Sequence, residues 1–166
     1  MIAEGMISSL VILLAFTCVL LAFLSKARKG WVLEMRHLPG LDAIDEAVGR
    51  AVEMGRPIVA NPGLGSLRGG RVTIAGLSAT AYVARQAARK GAKLIIPIAV
   101  AELLPVVYET VRDIYLVEGV PEAFEPDNIR WLSPNQWAWT CAIQGIAERE
   151  TVVANVMIGS FAAEAT

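Results

Sequence analysis

Few side chains in this sequence are equipped for chemistry, and their spacing narrows what they do. The stretch 62–71, PGLGSLRGGR, carries Gly63, Gly65, Gly69 and Gly70 with Ser66, Arg68 and Arg71 among them. Glycines let backbone amides approach a phosphate, a helix start favours an anion, and guanidinium groups supply countercharge. The known spacings are not met. From Gly63, G-x-G-x-x-G needs glycine where Arg68 stands. From Gly65, a phosphate loop needs lysine and a hydroxyl residue where Arg71 and Val72 stand. Glu102 is a candidate base or cation partner, but it lies too far downstream for a ribose acid. At a helix start its simpler role is to complement the dipole. Ser133 as a nucleophile needs a base beside it. The single histidine, His37, precedes the domain, so Ser133 reads as a helix cap. Cys141 sits in a helical stretch without a CxxC partner and reads as a buried structural thiol. Two cysteines, Cys18 and Cys141, and one histidine make no zinc, iron–sulfur or haem pattern. No metal or cofactor is expected.

These residues must be positioned by about one domain, the amount that 166 residues allow. After a break at Pro39-Gly40, 41–55 reads as a helix with apolar residues at helical spacing. The order then runs strand 57–61, glycine loop, helix 73–91 with Gly91 as C-cap, strand 92–100 and helix 101–119. Loop 120–128 and strand 129–133 follow. Helix 134–150 has Ser133 as N-cap, Pro134 in its first position and Gln136 closing a capping box. A strand at 151–160 ends the series. Apolar strands alternating with helices imply a parallel sheet covered on both faces. The expected fold is a three-layer Rossmann-like or flavodoxin-like α/β domain with about four parallel strands. In such sheets ligands gather beyond the carboxyl ends of the strands. Those ends carry Asn61 with the glycine loop, Glu102, Ser133 and Ser160. No helix follows the last strand within the sequence, so either the apolar edge is left open, a liability for pairing, or a partner covers it, or the sequence is the front part of a longer protein.

The composition is more apolar than a soluble domain requires, at 55% hydrophobic and 19% charged residues with mean hydropathy +0.51. The excess is local. Residues 6–24, MISSLVILLAFTCVLLAFL, form an uncharged run that as a helix spans about 28 Å, close to a bilayer core. A cleaved signal wants a basic start and a small-residue cleavage site, and neither is present. Lys26, Arg28 and Lys29 follow the run and Trp31 comes next, the pattern of a membrane interface. The positive-inside rule then places the N-terminus outside and the rest in the cytoplasm as a single-pass protein of the cell membrane. Residues 1–25 read as the anchor, 26–40 as a basic linker and 41–166 as the cytoplasmic domain. The net charge of -1 gives no reason to bind nucleic acid. Lipid is the expected partner of the anchor.

Trp137 and Trp139 fall on opposite sides of the last helix, about 160° apart. Trp139 shares a stripe with Ala142, Ile143 and Ile146. One indole therefore enters the core and the other reaches the rim, where tryptophan is a frequent interface anchor.

The stretches LPGLDAIDEAVGRAVEMGRPI (38–58) and GLSATAYVARQAARKGAKLIIPIA (76–99) resemble an uncharacterised family of membrane-anchored prokaryotic proteins. The first is the more specific. The resemblance covers the whole cytoplasmic part and implies an anchored α/β domain. It also implies members that run on past a GSFAAEA-like stretch into further membrane helices. It carries no catalytic residue to this chain. The expected function is a non-catalytic, membrane-tethered scaffold or accessory subunit that forms homo-oligomers or joins other membrane subunits. The alternative is a nucleotide or phosphorylated metabolite held by loop 62–71.

Overall fold

A computed structural model describes residues 4–28 and 39–161. The chain divides into two units, Met1–His37 and Leu38–Thr166. The first holds one helix, α1 (Glu4–Arg28). Its segment Ile7–Lys26 has mean hydropathy 2.8 with none of it buried, and is long and apolar enough to cross a membrane. A helix apolar on all sides needs apolar surroundings. Its hydroxyls are satisfied internally: Thr17 Oγ1 donates to Leu13 O at 2.8 Å and Ser25 Oγ to Ala22 O at 2.8 Å. Lys26 and Arg28 stand in its last turn. Lys29, Trp31 and His37 lie outside the described residues.

The second unit begins with α2 (Pro39–Met54). Pro39 and Gly40 open this helix instead of breaking the chain before it. A proline lacks only an amide that a first turn leaves unpaired anyway. Then come β1 (Ile58–Gly63), α3 (Arg71–Lys90), β2 (Leu94–Ile98) and α4 (Leu103–Val117). The series closes with β3 (Ile129–Trp131), α5 (Gln136–Arg149) and β4 (Ala154–Ser160). The strands pair in parallel in the order β3-β2-β1-β4. This is the Rossmann-like α/β arrangement.

The order decides which helix covers which face. Steps from β1 to β2 to β3 go one way, so right-handed crossovers put α3 and α4 on one face. The return from β3 to β4 goes the other way and puts α5 opposite. Burial shows the division. Ile58, Ala60, Ile96 and Ile98 pack with Val48 of α2, Val83 of α3 and Val107 of α4. The alternate residues Val59 and Ile95 pack with Ile146 of α5. Among the described residues one helix, α5, therefore serves the second face.

Several boundaries move for local reasons. Gly91 does end α3, at φ 71°, its N–H donating to Ala87 O. The cap of α5 is Asn135, not Ser133: Asn135 Oδ1 accepts from the N–H groups of Trp137 (3.0 Å) and Ala138 (3.1 Å). Ser133 Oγ accepts from Asn135 N–H at 3.1 Å and shapes the turn ahead of the helix. Pro134 and Ser133 thus precede the helix. β4 starts only at Ala154, because Thr151 at φ 52° turns the chain first.

The ends of α3 and α4 are tied by Glu118, which takes Arg89 Nε at 2.8 Å and Arg85 Nε at 3.5 Å. The Arg89 hydrogen bond holds the Glu118 carboxyl below its ordinary range. A depressed carboxyl contributes stability above its unfolded pKa and loses that contribution as pH falls through the folded value. Glu118→Gln should therefore lower Tm at neutral pH. The gap from the native protein should close as thermal melts are repeated down through the carboxylate range. A gap constant with pH would remove the ion pair as its cause.

Candidate functional site

β1 and β4 are neighbours at the point where the strand order reverses: β1 leads into α3 on one face, and β4 is entered from α5 on the other. The crevice at their carboxyl ends is the position where open α/β sheets hold ligands. Asn61 lies within β1, which is buried throughout; it is 1% exposed, and its Oδ1 accepts from Gly63 N–H at 3.0 Å. The register with β4 shifts between Asn61 and Gly63. Gly63, at φ 90°, pairs with Ser160, and Leu64 N–H donates to Ser160 O at 2.9 Å. A Cβ on Gly63 would lie 2.7 Å from Ser160 N. One on Gly159 would collide with Pro62 O, and one on Gly65 with Thr73 Oγ1. Thr73, fully buried, donates its hydroxyl to Ser66 O at 2.9 Å. A short 3-10 turn, Leu67–Gly69, closes with Gly69 N–H on Ser66 O, and Gly70 at φ 71° opens α3.

Gly63, Gly65 and Gly69 thus serve close approach of the protein to itself, and Gly70 serves the positive φ that opens α3. The loop also holds an anion of its own: Leu67 N–H donates to Glu102 Oε1 at 2.8 Å. Glu102 stands at the start of α4 without a cap bond to that helix, and its carboxylate closes the loop. A phosphate arriving at this turn meets that carboxylate. Arg68 and Arg71 are exposed beside it and form no ion pair among the described residues. Two buried donors remain unpaired among the described residues, Asn61 Nδ2 and Trp139 Nε1.

The structure brings together Asn61, Gly63, Gly65, Ser66, Gly69, Gly70, Glu102 and the backbone of Ser160. It does not bring Ser133, which follows β3 at the far edge of the sheet. Trp139 is the buried indole, 1% exposed, with Phe161 at 6.3 Å between ring centroids. Trp137 stands at 69% exposure. Cys141 is exposed, not buried. Two residues past Trp139, it lies on the outward side of a helix whose inner stripe is set by Trp139 and Ile146. Among the described residues no group of three or more His, Cys, Asp or Glu side chains is placed to hold a metal.

Sequence reasoning missed Thr73 and the cleft between α3, α4 and the 120–128 loop described below. Thr73 carried a weak signal, a hydroxyl in the first turn of a helix after glycines. The cleft carried none, since its lining is scattered along the chain.

Fold and crevice define a class: a parallel α/β domain preceded by one helix able to cross a membrane, with a self-filled loop at its switch point. The chain belongs to the family described as Domain of unknown function (DUF6754), whose model matches residues 1–166. No curated protein and no solved structure matches it.

Proposed function

We propose that this protein is a non-catalytic scaffold, tethered to the cell membrane by α1, that assembles with further copies or with other membrane subunits. The observation that carries the reading is the outer edge of β4. Among the described residues no strand pairs with it. Its sequence, ANVMIGS, holds no charge and no proline, the usual means of blunting an edge. Val156, Met157 and Ile158 are only partly buried. Such an edge presents a row of amides and carbonyls to a partner strand. The exposed Trp137 on α5 adds a rim anchor of the kind enriched at interfaces. Loop 62–71 lends the nucleotide reading little, because Glu102 already occupies it. Lys26 and Arg28 at the end of α1 support a cytoplasmic domain with the N-terminus outside.

The test is the native mass of the full chain, purified gently in detergent from its own cell. A defined assembly is expected. Met157→Lys, which places a charge on the edge strand, should weaken that assembly by about tenfold or more. A clean monomer at working concentration overturns the scaffold. An assembly indifferent to Met157→Lys moves the contact away from β4.

A further inference from the structure

At the end of the sheet away from the switch point, a cleft of ≈ 210 Å³ lies between the end of α3, the middle of α4 and the loop that follows α4. Its apolar floor is built from Ala87, Ala88 and Ala92 with Leu94, Ile96 and Val111. Small side chains on α3 leave the room. The opposite wall is Tyr115, Phe124 and Glu125. Phe124 is held in place by Tyr108, edge-on with centroids at 5.3 Å, and stands 6.0 Å from the Tyr115 ring at a 57° tilt.

We propose that this cleft binds a small organic ammonium ion with an aromatic or aliphatic body. Three observations set the chemistry. First, Tyr115 is 6% exposed, lines the cleft, and has no hydrogen-bond partner for its hydroxyl among the described residues. Second, the rim carboxylate has no cation on it. Glu125 Oε2 accepts only from Asn128 Nδ2, at 2.7 Å. Lys93, which also lines the cleft, is engaged with Glu150 at 3.5 Å, and Arg130 with Glu150 at 3.2 Å. Glu122 and Asp127, on the same loop, add negative charge. Third, Tyr115 and Phe124 both line the space, and aromatic rings attract cations. An anion would meet Glu125, and the one basic residue in the lining, Lys93, already faces Glu150.

Size sets the body. A cavity of about 150 Å³ holds benzene, so this one takes a phenyl ring with a short amine arm, on the order of ten non-hydrogen atoms. Burial, and after it the charge of Glu125, push the Tyr115 hydroxyl above the usual phenol range. It therefore stays protonated at neutral pH, with its oxygen lone pairs free to accept from an ammonium. The site is independent of the β4 edge.

Phenethylamine titrated into the full chain in detergent, followed by ligand-observed NMR, is the direct test. Saturable binding is expected at about millimolar or tighter. 2-Phenylethanol, equal in size and uncharged, should bind about tenfold more weakly. Glu125→Gln keeps the hydrogen bond from Asn128 at an exposed position and should cost phenethylamine about tenfold while leaving the alcohol unchanged. Tyr115→Phe should cost it about threefold. Absence of saturation, equal affinity for amine and alcohol, or binding indifferent to Glu125→Gln would each overturn the proposal.

Discussion

Gly76→Ala should destabilise the domain by about 2–3 kcal/mol net of any helix gain. Gly76 lies in the second turn of α3, where the helix crosses the β1–β4 pair. A Cβ there would stand 2.5 Å from Pro62 O and 2.6 Å from Ile158 O. Both are backbone atoms of the strands, so relief requires the helix to lift away from the sheet. Thr73, one turn earlier, would lose its fit to the loop as well. The matched control is Gly49→Ala, in the middle of α2, where an added Cβ meets nothing within 4 Å. That change should stabilise by about 0.5–1 kcal/mol through helix propensity alone. Urea unfolding of the three proteins, compared by midpoint at equal slope, reads both effects. A neutral Gly76→Ala would mean that α3 does not sit tightly on the β1–β4 pair.

The second large effect separates two tryptophans that stand two residues apart. Trp139→Ala should cost about 3–5 kcal/mol, the range for emptying a buried indole site. It removes the ring that packs with Phe161 and the largest side chain on the inner stripe of α5. The loss weighs heavily because, among the described residues, α5 is the single helix on its face of the sheet. Trp137→Ala should change monomer stability by no more than about 0.5 kcal/mol. Its effect, on the scaffold reading, belongs to assembly and appears in native mass. Thermal melts of the two variants against the native chain would show the contrast. Equal losses would mean that α5 is rotated from the position described.

Much of the framework follows from patterns that are local along the chain. The apolar run in 6–24 needs no tertiary partner to be recognised, because hydrocarbon length and absence of charge are properties of the segment. The described helix extends that reading by about a turn at its basic end. The strand at 58, the helix after the glycine loop and the Gly91 cap follow from burial periodicity and backbone chemistry within a few residues. The same holds for the opposite placement of Trp137 and Trp139, which a 3.6-residue turn imposes.

Local ambiguity defeated other readings. Ser133-Pro134 and Asn135 compete as starts for α5, and a capping box can be written for the wrong one. The side chain that reaches two free amides wins, and that is Asn135. Cys141 reads as buried when the helix is taken as apolar in general. It is exposed because the helix presents only one stripe to a single sheet face.

By itself the sequence determined the membrane-crossing length of α1, the order of elements and the parallel α/β class. Each of these depends on interactions within one turn or one strand. The strand order β3-β2-β1-β4, the switch point between β1 and β4, and the closure of the glycine loop by Glu102 were decided by tertiary structure alone. So was the cleft between α3, α4 and the loop bearing Glu125. Leu67 and Glu102 are 35 residues apart, and they meet only because one right-handed crossover, β1–α3–β2, returns the chain to the carboxyl end of the sheet.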